Sequence, residues 1–103
     1  MITRIVKLQF QAEKVADFLL IFNETKLMVS NFEGCLGMQL LQDVKDSSVF
    51  FTYSQWQSED ALLNYRQSDL FKALWKSIKP NFEMPAEACS TAVYFDGFVE
   101  KEK

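Results

Sequence analysis

A chain of 103 residues has room for one domain and one modest hydrophobic core. Its hydrophobic share of 49% excludes a disordered segment, and a net charge of −3 with no Lys/Arg cluster speaks against nucleic acid and anionic membrane surfaces. No apolar run approaches the roughly 18 residues of a membrane span, and no signal-peptide pattern opens the chain, which therefore reads as cytoplasmic.

Ile2 to Phe10 alternates as a strand, with Ile2, Arg4, Val6, Leu8 and Phe10 on one face and Thr3, Ile5, Lys7 and Gln9 on the other. One of Arg4 and Lys7 must point toward covering helices and the other away; alternation alone does not say which. From Ala12 to about Asn31 the period changes to helical. Val15, Phe18, Leu19, Phe22 and Val29 share a stripe, and Gly34 is placed to stop the helix and permit the turn. Cys35 to Asp43 forms a second strand with Leu36, Met38 and Leu40 on one face. Asp46-Ser47-Ser48 supplies turn chemistry, and Val49 to Trp56 forms a third strand, antiparallel to the second.

Ser58 is an N-cap followed by Glu59 and Asp60, and Ser68-Asp69 repeats the signal ten residues on, so one short helix bends into another. Phe71, Leu74, Trp75 and Ile78 form the apolar stripe of the second. Pro80 and Pro85 bracket a loop, and Ala88 to Phe95 alternates as a last strand. The order is βαββαβ: an α+β, ferredoxin-like antiparallel sheet with helices on one face, spanning residues 1–98, with a charged tail at 99–103 expected to fray.

Both faces of this sheet are apolar. The third strand offers Val49, Phe51 and Tyr53 on one side against Phe50 and Trp56 on the other. Two helices cover one side only, which points to a homodimer through the open sheet face.

Histidine is absent, which removes the commonest metal ligand, haem ligand and general base together. Cys35 and Cys89 read as two buried free thiols. Ser54 and Ser58 have no His partner, and the three glycines form no phosphate-cradling motif, so no metal, flavin or nucleotide cofactor is expected.

The turn Glu33-Gly34-Cys35-Leu36-Gly37 and the run W-x-S-x-x-A-L-x-x-Y-x-x-S-x-x-F-x-x-x-W from Trp56 to Trp75 resemble the antibiotic biosynthesis monooxygenase family, of the dimeric α+β barrel superfamily. The resemblance implies a homodimer whose two sheets form a barrel, with a pocket between sheet and helices in each subunit. It also implies chemistry drawn from cofactor-free oxygenases of polyphenolic or anthrone-like compounds, quinol oxidases and haem-degrading enzymes. The haem-degrading branch uses an Asn, a Trp and a His; the matching positions here are Lys7, Tyr65 and Trp75, so the iron ligand is missing and haem degradation is rejected.

The resemblance makes Tyr65 and Trp75 pocket residues, although their helical spacing also fits plain packing. Lys26 falls inside the apolar stripe of the first helix, either as a buried base or anion holder or as a side chain snorkelling outward, and Asn23 borders the same stripe. Trp56 reads as core or dimer interface. Three functions stay open. The first is a cofactor-independent oxygenase of an electron-rich aromatic, with Tyr65, Asn23 and Lys26 as polar groups and Phe22, Phe71 and Trp75 as walls. The second is a dimer that binds a small aromatic ligand without turnover. The third is a structural domain whose pocket is filled by its own ten phenylalanines.

Overall fold

The computed structural model describes residues 1–98; the charged tail assigned to 99–103 lies outside the described residues. Four strands and three helices run in the expected order: β1 (Ile2–Gln9), α1 (Val15–Ser30), β2 (Cys35–Gln42), β3 (Val49–Trp56), α2 (Glu59–Arg66), α3 (Asp69–Ile78) and β4 (Glu87–Thr91). The sheet is antiparallel with strand order β2-β3-β1-β4, the ferredoxin-like arrangement, and the helices cover one face. No helix of the described residues is long and apolar enough to cross a membrane.

The register settles which side of β1 is which. Ile2, Arg4, Val6 and Leu8 stand opposite Trp56, Ser54, Thr52 and Phe50 of β3, and these four pairs form the helix-facing surface. Arg4 therefore points under the helices, while Lys7, paired with Phe51 and Glu87, lies on the open face. Half-buried Ile5, Phe51 and Tyr53 share that open face with Lys7.

The helix signals act as their chemistry requires. The hydroxyl of Ser58 accepts from the Ala61 amide at 3.1 Å and that of Ser68 from the Phe71 amide at 3.1 Å, so each cap satisfies one donor that its helix leaves unpaired. Between β2 and β3, Asp43 accepts from the amides of Lys45 and Asp46, and Asp46 accepts from Ser48.

Four expectations need correction. The helix from Ala12 begins as a single 3-10 turn, Ala12–Lys14, and becomes α-helical only at Val15. It ends at Ser30, capped by Asn31 where the end was expected, but Gly34 is not what stops it. Gly34 instead turns the chain at φ 88°, where a Cβ would come within 2.6 Å of the Ala61 Cβ, so the same residue allows both the turn and the seating of α2. In β2 a bulge between Cys35 and Gly37 throws Leu36 out of the ladder; it is 50% exposed, not a face-mate of Met38 and Leu40. The last strand stops at Thr91, opposite Thr3, because β1 offers almost nothing further to pair with. Val93, Tyr94, Phe95 and Phe98 consequently lie outside any strand with their side chains exposed.

The thiols also differ from expectation. Cys35 is half-buried on β2 and Cys89 is exposed on β4, at opposite edges of the sheet. Three strand spacings of about 4.8 Å separate these edges, far beyond disulfide reach.

Candidate active site

A cavity of about 310 Å³ opens between the sheet and its helices. Alternation along β1 aims Arg4, Val6 and Leu8 into it, and the same period on β3 aims Thr52, Ser54 and Trp56. One wall is a continuous aromatic ladder. Trp56 stacks on Tyr65 with centroids 4.8 Å apart, Tyr65 meets Phe71 edge-on at 5.1 Å, and Phe71 stacks on Trp75 at 5.7 Å. The double capping device holds this wall: Ser68 caps α3 and its hydroxyl also donates to the Tyr65 carbonyl at 2.6 Å, locking the α2–α3 bend.

Polar groups gather toward the Arg4 end. Trp56 Nε1 donates to Ser54 Oγ at 3.0 Å, so both of these are satisfied internally. The Tyr65 side chain is 8% exposed, and its hydroxyl has no hydrogen-bond partner among the described residues. Burial chiefly, then the nearby Cys35, pushes its pKa up to about 12 against an opposing pull from Arg4. At neutral pH it is a hydrogen-bond donor and not a base. The Arg4 guanidinium is half-buried, and its hydrogen bond among the described residues is a long one to Ser90 Oγ at 3.4 Å. Burial first, then the neighbouring charge of Arg66, lowers its pKa from the usual arginine value. Arginine nevertheless stays protonated in proteins.

Of the residues singled out from sequence, Tyr65, Lys26, Phe22, Phe71 and Trp75 all border this cavity. Asn23 does not. It lies in a shallower groove between α1 and β2, where its Oδ1 accepts from Lys26 Nζ at 3.2 Å. Lys26 is exposed at the rim, so the buried-base reading of its stripe position fails and the snorkelling one holds. Trp56, read as core or dimer interface, is 1% exposed on the helix side of the sheet: it is core and cavity floor.

Sequence reasoning left Arg4 and Lys7 as alternatives for the helix-facing position and missed Arg66 as a cavity residue. Arg4 carried a signal, since it interrupts the apolar face of Ile2, Val6, Leu8 and Phe10. Arg66 carried none: it is an exposed charge at the end of α2, next to Tyr65, and only the folded chain sets it at the cavity.

The family model for antibiotic biosynthesis monooxygenases matches residues 1–76, from β1 through most of α3. The chain belongs to the antibiotic biosynthesis monooxygenase family. Solved structures superpose over nearly the whole fold. A Caulobacter crescentus protein provisionally described as an antibiotic biosynthesis monooxygenase is 28% identical, with a TM-score of 0.83 over 89% of this chain and 89% of that one. A conserved protein from Methanosarcina mazei is 22% identical, with a TM-score of 0.82 over 88% of this chain and 91% of its own. A provisionally described monooxygenase from Deinococcus radiodurans reaches a TM-score of 0.86 over 98% of this chain and all of its own at only 13% identity, a likeness of fold alone. No curated protein matches the chain. Family membership extends to the cavity's main supports, since β1, β3, α2 and the ladder residues Trp56, Tyr65, Phe71 and Trp75 all lie inside the matched span.

Proposed function

We propose that the chain is a cofactor-independent monooxygenase or quinol-type oxidase that acts, as a homodimer, on a small electron-rich aromatic compound. The observation that carries this reading is the cavity itself, walled by an aromatic ladder that includes a tyrosine whose hydroxyl has no partner among the described residues, in a member of a monooxygenase family.

In this reading the ladder from Trp56 to Trp75 stacks against the ring system and excludes water, and Tyr65 donates a hydrogen bond to a substrate oxygen. The substrate loses a proton and its anion passes an electron to dioxygen. For an anthrone, the ring CH2 becomes C=O; one oxygen atom enters the product and the other leaves as water, with all four electrons supplied by substrate. For a quinol, two electrons and two protons go to dioxygen, leaving quinone and hydrogen peroxide. The protein supplies orientation and a dry site, which is the larger part of what such spontaneous-leaning reactions need.

The dimer rests on the open sheet face and on the segment beyond β4. Ile5, Phe51 and Tyr53 lie on a face that no helix covers, and β4 runs straight into Val93, Tyr94, Phe95 and Phe98, which are 51%, 103%, 83% and 95% exposed. So much apolar surface in one region is what a second copy of the chain would cover.

Oxygen uptake against a panel of quinols, anthrones and flavonols tests the activity. Uptake above the spontaneous rate is expected, falling in Tyr65→Phe and Trp75→Ala. No uptake with any compound would overturn the oxidase reading in favour of binding without turnover or a structural role. Light scattering on the eluting protein tests the dimer, and a single-chain mass would remove it.

A further inference from the structure

The cavity's charge is as uneven as its walls are uniform. Arg4, Lys26 and Arg66 border it, and no Asp or Glu among the described residues does, although the chain carries fourteen acidic residues and a net charge of −3. Lys26 turns outward to Asn23, whereas Arg4 sits half-buried on the sheet with Arg66 close enough for the two positive charges to repel. A guanidinium has five N–H donors, and among the described residues that of Arg4 reaches only a neutral hydroxyl at 3.4 Å. A partly buried cation beside a second cation, with no carboxylate to match it, is unfavourable in the empty protein. An anion placed there would remove that cost.

We propose that the cavity selects aromatic anions: the rings lie along the Trp56–Trp75 ladder, and a carboxylate or ionised phenol oxygen sits at Arg4 and Arg66 with the Tyr65 hydroxyl donating to it. This deepens the substrate class of the proposed function and rests on the same cavity, but it does not depend on turnover. The three donors come from two elements, Arg4 from β1 and Tyr65 and Arg66 from the end of α2, and border one cavity whose remaining lining is mostly apolar. That division, a mostly apolar lining with a few polar groups, is how small-molecule sites fix orientation. The arrangement also explains how a chain without histidine can handle a phenol. Two guanidiniums favour the ionised oxygen directly, so the proton can leave to solvent without a dedicated base.

The experiment is a titration of the full chain with 2-naphthoate and with its neutral isostere 2-naphthamide, followed by quenching of tryptophan fluorescence and by calorimetry. Naphthoate should bind about tenfold or more tightly than naphthamide, as charge-assisted hydrogen bonds do over neutral ones, and the preference should shrink as salt is raised. Arg4→Gln should remove most of the preference, weakening naphthoate far more than naphthamide. Arg66→Gln, at an exposed position where folding is not at stake, should reduce the preference several-fold, and Lys72→Gln, an exposed cation outside the cavity, should leave it unchanged. Equal affinity for the two ligands overturns the anion proposal while keeping an aromatic site. A preference untouched by Arg66→Gln, in protein whose Arg4→Gln variant is misfolded, overturns it as well. Binding of neither ligand overturns the proposal together with the cavity's role as an aromatic site.

Discussion

The two ends of the layer between sheet and helices are built from the same strands and are packed differently: one closes on a knot of interlocked rings, and the other lines the cavity with a ladder of rings beside Arg4. At the filled end Phe10, Phe18 and Phe50 converge, with Phe10 and Phe18 stacked 4.1 Å apart and Phe50 5.3 Å from Phe18; Leu8 and Ile78 complete this cluster, and with Phe18 they turn their other side to the cavity. At the other end Trp56, Tyr65, Val29 and Leu62 form a second cluster that leaves room beside Arg4. Successive helix-facing positions of β1 pass from Arg4 through Val6 and Leu8 to Phe10, from cavity to solid core, within three steps of one alternation. Rings that interlock from three elements fill space; rings that line up along one wall leave it open. Stability should therefore depend most on the first end, and recognition on the second.

The largest expected effect breaks the filled end. Phe10→Ala removes a ring that is 1% exposed and in contact with three other rings, and should cost about 3–5 kcal/mol in denaturant unfolding. A smaller loss would mean that the cavity's slack lets the core collapse, and that the two ends behave as one.

The next effect belongs to the hollow end and appears only in alkali. Tyr65 has its pKa raised from 10.0 to about 12. Below pH 10 it is protonated in both folded and unfolded chains and contributes no pH dependence. Between pH 10 and 12 the unfolded chain loses the proton and the folded one keeps it, so stability falls as pH rises, by up to about 1.4 kcal/mol per unit. Unfolding curves across this window should show a steeper decline in the wild type than in Tyr65→Phe. Parallel curves would place the phenol in water and remove it from the wall.

The smallest effect sharpens the comparison within the caps. Ser58→Ala and Ser68→Ala should each cost about 1 kcal/mol, since each deletes one N-cap acceptor. Only Ser68→Ala should also weaken ligand binding, because that hydroxyl fixes the Tyr65 carbonyl as well. Equal effects on binding would show that the bend does not position the ladder.

Much of this architecture is legible in the sequence because it depends on local physics. The change of period from two to 3.6 marks β1 and α1, and two serines followed by acids mark the starts of α2 and α3. The spacing of Tyr65, Phe71 and Trp75 marks one face, although spacing alone does not separate a ligand wall from ordinary packing. Local reasoning fails where a partner strand or a distant side chain decides the outcome. Residues 92–95 alternate as well as any strand in the chain but stay unpaired, because a strand needs a neighbour as well as a pattern. Leu36 has the right parity and is displaced by a bulge. Lys26 falls in an apolar stripe, yet its side chain escapes to the rim.

The order and kind of the elements, the caps and the family motifs are all written in residues close together along the chain, and so can be read without a structure. That Arg4 rather than Lys7 faces the helices, that Arg66 joins it, and that a cavity exists at all emerge only when the chain is folded. The reason is physical. A cavity is space that packed side chains leave unfilled, so no residue encodes it, and its charge is the sum over side chains brought together from separate strands and helices.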